Sequence, residues 1–142
     1  MVLTVSNYMP LVRIDVLEGR SDKQLAAIGN AIHRAMVECF NVPERDQFQI
    51  ITEHRRGRLV YSPAYLDVAR TDGILIVQIF FASGRTDEQK AAFYARAAAL
   101  LVDGAGLRRE DVTITLNENT RADWSFGNGV ASYLALPKEQ WK

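Results

Sequence analysis

Gly19-Arg20-Ser21-Asp22-Lys23-Gln24 and Gly84-Arg85-Thr86-Asp87-Glu88-Gln89 are one pattern written twice, at a spacing of 65 residues. The same shift lays Ala26 and Ala27 on Ala91 and Ala92, Asp46 on Asp111, and Glu53 on Glu118. A single register held across both halves reads as a duplicated unit. Each hexapeptide is also a helix start. Ser21 and Thr86 stand three residues before Gln24 and Gln89, so each hydroxyl can accept an orphan backbone N–H while the glutamine reaches back to the cap.

The residues around each start complete a strand, a helix and a strand. Val12, Ile14 and Val16 alternate with Arg13 and Asp15, the period of a half-buried strand. Leu25, Ile28, Ile32, Ala35, Met36, Cys39 and Phe40 then recur at helical spacing, until Asn41 and Pro43 end the run. Residues 47–52 read as a second strand. In the second unit residues 74–81 are apolar on both faces, which predicts a central strand. An alanine-rich helix over about 86–103 turns Phe93, Ala97, Leu100 and Leu101 inward. Val112, Ile114 and Leu116 alternate with Thr113, Thr115 and Asn117 in the last strand. Crossovers of this length imply parallel pairing within each unit. The expected fold is an α/β (α+β) domain: a tandem β-α-β repeat with a four-stranded mixed sheet and two helices on one face. Its halves span about 10–54 and 73–119, and a tail follows. No further helix is available for the other sheet face, so oligomerisation is the expected way to cover it.

Composition narrows the function classes. The chain has 142 residues, with 17 basic and 17 acidic side chains. Zero net charge argues against a nucleic-acid or anionic-membrane partner, which a basic excess would serve. No apolar run reaches the roughly 20 residues of a membrane span. The first nine residues hold no Lys or Arg, so a signal-peptide n-region is missing. One cysteine, Cys39, excludes an internal disulfide and a cysteine-based zinc cluster. A cytoplasmic protein follows as the expectation. His33 and His54 share no metal-ligand spacing, and neither a metal nor another cofactor is expected. His33, beside core positions on a helix, reads as structural, and Cys39 as a small buried hydrophobe. Residues 54–72, with Arg55, Arg56 and Arg58 around Gly57, read as a solvated connector. Phosphate loops and nucleophile elbows are missing.

Other residues could carry chemistry. Arg20 and Arg85 each precede a helix cap, where a guanidinium beside the positive end of a helix suits a carboxylate. A surface arginine packed on the preceding strand is the alternative. Pro10 follows Met9 and immediately precedes the first strand. If translation begins at Met9 and that methionine is removed, Pro10 becomes a terminal secondary amine. Such an amine can take a proton beside a carbonyl as the free base, or donate one as the cation. In the sequence as written its nitrogen is an amide and does neither.

The segments from Pro10 to Asp22, around Asp46, from Gly84 to Lys90, and Asp123-Trp124-Ser125-Phe126-Gly127 together resemble the malonate semialdehyde decarboxylase branch of the tautomerase superfamily. The resemblance runs from Pro10 to about Gly129. It implies a homotrimer with active sites near subunit interfaces. It also implies that Pro10 matches the catalytic proline, Asp46 an acidic partner that polarises substrate or water, and Arg85 a carboxylate-binding arginine. Trp124 and Phe126 match an aromatic wall. The best-known decarboxylases of the branch carry a second arginine where this chain has Ser83, which weakens the case for that one reaction.

The resulting expectation is a cofactor-independent enzyme acting on a small 2-oxo or 3-oxo carboxylic acid, by keto–enol tautomerisation or decarboxylation. Residues 1–9 would be an N-terminal extension and residues 10–142 the tautomerase-like domain. A non-catalytic ligand-binding or assembly module on the same fold, with Pro10 blocked by residues 1–9, is the alternative.

Overall fold

A computed structural model describes residues 10–135. The N-terminal extension, residues 1–9, and the end of the tail, residues 136–142, lie outside the described residues. The element order is β1 (Leu11–Leu17), α1 (Asp22–Phe40), β2 (Phe48–His54), β3 (Leu75–Ala82), α2 (Asp87–Ala105), β4 (Val112–Asn119) and a short α3 (Ser132–Ala135). The sheet order is β2-β1-β3-β4. β1 pairs parallel with β2, β3 parallel with β4, and β1 antiparallel with β3. The mixed four-stranded sheet expected from the repeat is therefore present. Its second strand starts one residue later than the sequence pattern indicates and runs on to His54.

The two helices begin alike. Ser21 Oγ accepts from the Gln24 N–H at 3.2 Å, and the Gln24 side chain accepts the Ser21 N–H at 2.8 Å. The Thr86–Gln89 pair repeats this at 3.1 and 2.9 Å. Their ends also correspond, with Asn41 and Gly106 both left-handed, at φ of 56° and 70°. Asparagine tolerates that conformation and glycine adopts it without a Cβ penalty.

One face of the sheet carries the core. Val12, Ile14 and Val16 of β1 and Leu75, Val77, Ile79 and Phe81 of β3 are buried against Ile28, Ile32 and Met36 of α1 and Phe93, Ala97 and Leu101 of α2. Phe40 stacks between Phe81 and Phe93, with centroids 5.7 and 4.7 Å away. Cys39 is half-buried at the edge of this core, and its surroundings push the thiol above its ordinary value, burial first and the nearby Glu38 charge second.

The opposite face mixes apolar and polar groups. The register aligns Phe48, Leu11, Phe80 and Asn117 in one row, and Ile50, Arg13, Gln78 and Thr115 in the next. Phe48 and Ile50 are 46% and 42% exposed, so apolar surface remains in water on this side.

The register also locates the internal symmetry. Arg13 pairs with Gln78, its own counterpart at a spacing of 65, so the local two-fold axis passes between them. That axis sends Pro10 to Leu75, Arg85 to Arg20 and Asp46 to Asp111.

Phe93 is fully buried between two other aromatic contacts. Phe93→Ala is expected to cost about 3–5 kcal/mol by lost transfer energy and the cavity left behind. Ser21→Ala should cost about 1 kcal/mol, the value of one cap. Urea unfolding would show both as lower midpoints with an unchanged slope.

Candidate active site

β1 and β3 run antiparallel, so the start of β1 lies beside the end of β3. Leu11 pairs with Phe80 on one side and with Phe48 on the other. Pro10 precedes Leu11 and is buried. Asp46 precedes Phe48 by two residues, and Arg85 follows Ala82, the end of β3, by three. The topology thus gathers Pro10, Asp46 and Arg85 at one end of the sheet from three separate elements.

Arg85 is 9% exposed and holds that end together. Its Nη1–H donates to the Ala82 carbonyl at 3.1 Å and its Nη2–H to the Phe40 carbonyl at 3.2 Å. The guanidinium carbon lies 5.3 Å from the Phe40 ring centroid and 5.1 Å from that of Phe81. Two aromatic faces and two carbonyl dipoles compensate the buried positive charge. The pattern before the helix cap placed a guanidinium here, but its carbonyl partners come from the end of α1 and the end of β3.

Asp46 is 5% exposed. Burial pushes its carboxyl above the ordinary value, while the neighbouring charges of Arg45 and, less, His33 pull the other way. It lies on the loop between α1 and β2. The Asp46 N–H donates to the Pro43 carbonyl at 3.0 Å.

The aromatic wall is larger than the two residues named from sequence. Trp124 and Phe126 stack 5.2 Å apart and nearly parallel. Phe126 also meets Phe48 at 5.9 Å and Tyr133 edge-on at 5.4 Å. Trp124 Nε1–H donates to Asn119 Oδ1 at 2.7 Å, which anchors the indole to the end of β4. The Phe126 N–H donates to Ser132 Oγ at 2.9 Å, which folds the tail back on itself. Phe48, two residues beyond Asp46, and Tyr133 in the tail are the parts of this cluster that sequence reasoning missed.

The symmetry-related end is built from matching residues and used differently. The Asp111 carboxylate accepts from the Thr71 N–H at 2.7 Å and from Thr71 Oγ1–H at 2.6 Å. Arg20 donates to the Gly73 carbonyl at 2.8 Å. Acid and guanidinium there clamp the segment that joins the halves, and the counterpart of Pro10 is Leu75, inside the chain. The rest of that segment is mostly exposed, with Arg56 paired to Asp72 at 2.8 Å. Among the described residues no group of three or more His, Cys, Asp or Glu is placed to hold a metal ion. No helix among them is long and apolar enough to cross a membrane.

Comparison with known proteins identifies the family. Two family models described as tautomerase enzyme match, one over residues 46–127 and one over residues 10–68. The probable tautomerase YusQ of Bacillus subtilis (strain 168) is 41% identical over 126 residues, 89% of this chain and 99% of its own length. The probable tautomerase YrdN of the same strain is 35% identical over 89% of this chain and 97% of its own. A crystal structure of malonate semialdehyde decarboxylase superposes with a TM-score of 0.82 at 35% identity, covering 87% of this chain and 95% of that one. The FG41 malonate semialdehyde decarboxylase inhibited by 3-bromopropiolate gives 0.82 at 38% identity, over 89% and 99%. The chain belongs to the tautomerase superfamily and is an enzyme of that family. A fused 4-OT at 20% identity and a TM-score of 0.71, over 89% of this chain and 99% of that one, shares the fold.

The upward shift of Asp46 carries a sign. An acid whose folded value is raised adds stability in its protonated form, below the ordinary carboxylate range. That stability is lost as pH rises through the folded value, so at neutral pH the buried charge is a cost. Asp46→Asn removes the charge and is expected to raise the melting temperature at pH 7. The gain should shrink towards zero as pH falls below about 4. Thermal melts of both proteins between pH 3.5 and 7.5 check this.

Proposed function

We propose that this protein is a cofactor-independent acid–base catalyst for a small 2-oxo or 3-oxo carboxylic acid, interconverting its keto and enol forms or decarboxylating it. The observation that carries the reading is the convergence of Pro10, Asp46 and Arg85 at one end of the sheet, next to the Trp124–Phe126 stack. Arg85 anchors the substrate carboxylate, a role for which the planar guanidinium fork is suited because it can meet a carboxylate with two parallel N–H bonds. Pro10, with its nitrogen freed by removal of the residues before it, moves the proton. Asp46 polarises the substrate or a water. The aromatic side chains exclude solvent, which strengthens each charge interaction. The apolar side chains on the uncovered sheet face fit a homotrimer, the assembly of the fused 4-OT relatives that share the fold.

Malonate semialdehyde decarboxylase is the model for one of the two reactions. Ser83, in place of a second arginine, leaves one fewer cation to orient the substrate carboxylate for C–C cleavage, which releases CO2 and moves the electron pair to an enolate, and this favours tautomerisation. Assay of protein beginning at Pro10 with phenylenolpyruvate and with malonate semialdehyde tests the proposal. Turnover of phenylenolpyruvate is expected, and turnover of neither substrate overturns it. Arg85→Lys keeps a charge but loses the planar fork, so it should raise KM at least about tenfold with a smaller change in kcat. An unchanged KM removes Arg85 from the site.

A second reading rests on the peptide bond between Met9 and Pro10 in the sequence. If that bond persists in the cell, the nitrogen is an amide without a proton and the fold serves as a ligand-binding or assembly module. Intact mass of untagged protein from its source separates the two, with loss of residues 1–9 expected for the enzyme.

A further inference from the structure

The loop bearing Asp46 is tied to α1 by three side chains, and they differ in strength. Arg34 Nη2–H donates to Glu44 Oε1 at 2.6 Å, but both side chains are about half exposed or more, and such pairs are worth little. Gln47 Nε2–H donates to Asn30 Oδ1 at 3.3 Å, long and exposed. The third tie is His33. Its ring is 7% exposed, and Nε2 lies 2.7 Å from the Glu44 carbonyl oxygen. A carbonyl only accepts, so Nε2 carries the proton. His33 Nδ1 is buried and has no hydrogen-bond partner among the described residues. The Nε2–H bond is therefore the ring's one polar anchor among them. It grips the backbone two residues before Asp46, from a side chain that is itself buried.

We infer that His33 is a positioning residue: its Nε2–H bond to the Glu44 carbonyl fixes the loop that presents Asp46 to the site. The inference rests on the proposed role of Asp46 and adds that the loop geometry, set from α1, determines how well that carboxylate acts. A loop that drifts by about 1 Å loses much of the benefit of a prepositioned group. A tether that served only folding would change stability and leave the turnover of the folded enzyme alone.

The test uses protein beginning at Pro10, with phenylenolpyruvate as probe. His33→Leu removes the donor at similar volume and should lower kcat about tenfold while KM stays within about twofold. His33→Gln presents an N–H at nearly the same reach and should restore most of kcat. His33→Asn offers the same amide one bond shorter and should not. This pair keeps the test alive if His33→Leu does not fold, and equal kcat in Gln and Asn variants overturns the inference. In an Asp46→Asn background, His33→Leu should change kcat less than about twofold, because the group it positions is already gone. A full independent loss there overturns the positioning role and leaves that of Asp46 standing. An Asp46→Asn enzyme with undiminished kcat and KM removes Asp46 from the chemistry, and the inference about His33 falls with it.

Discussion

The antiparallel pairing of β1 with β3 is the constraint from which the rest follows. Each half forms its own parallel pair through a helix, so the halves could each bury one helix on two strands and nothing more. A half of that size would bury little of its surface on its own. Joining the units along β1 and β3 yields four strands and places both helices on one face, over a shared core. The direction of that pairing has a second consequence. Because Arg13 faces its own repeat counterpart Gln78, the start of the first unit lies against the end of β3 in the second. Residues 75 apart in sequence, Pro10 and Arg85, reach the same end of the sheet for that reason.

That junction requires a buried cation, and the structure shows how it is tolerated. Arg85 spans the halves, taking one carbonyl from Phe40 in the first and one from Ala82 in the second. The Phe40 and Phe81 rings lie against the guanidinium, so the polar clamp and the apolar core share the same two side chains. Truncating either ring would loosen the core and strip the charge of its aromatic contact at once. The buried carboxyl of Asp46 adds a cost of its own at neutral pH. Paired costs of this kind at one end of a small domain are what a prepared site looks like in physical terms, since groups held out of water act more strongly on whatever enters.

The sequence revealed what is local and concealed what is not. Both capping boxes were legible because each joins residues three apart, and the alternation of Val12, Ile14 and Val16 named the buried face of β1 outright. The repeat supplied the topology, since two units of strand, helix and strand have few ways to share a sheet. Pro10 and Arg85 stood out from their places before a strand and a helix cap, Asp46 emerged from the resemblance, and the fold brings the three to one end. The partners of Arg85 were not legible, because the Phe40 carbonyl is 45 residues away and backbone oxygens leave no mark in a sequence. The tie between His33 and the Glu44 carbonyl escaped for the same reason, and the helical spacing of His33 pointed only to burial. Phe48 in the aromatic wall could have been suspected from its place beside Asp46, but its contact with Phe126 joins β2 to the tail across the open sheet face.

The duplicated acid and arginine explain why such a chain has one candidate site and not two. Asp111 and Arg20 occupy positions equivalent to Asp46 and Arg85, yet Asp111 accepts from Thr71 and Arg108, and Arg20 donates to the Gly73 carbonyl. The chain must pass from the first unit to the second somewhere, and it enters β3 at the end where these residues stand. A carboxylate accepting a backbone N–H and a hydroxyl, beside an arginine bound to a carbonyl, is a well-satisfied structural clamp. Leu75, at the position equivalent to Pro10, has no ionisable nitrogen to offer. At the other end Pro10 stands where Leu75 stands in the second copy. Linking two copies in one chain therefore gives the two equivalent pairs different surroundings: Asp111 and Arg20 secure the connection between the halves, while Asp46 and Arg85 stand at the end that carries Pro10.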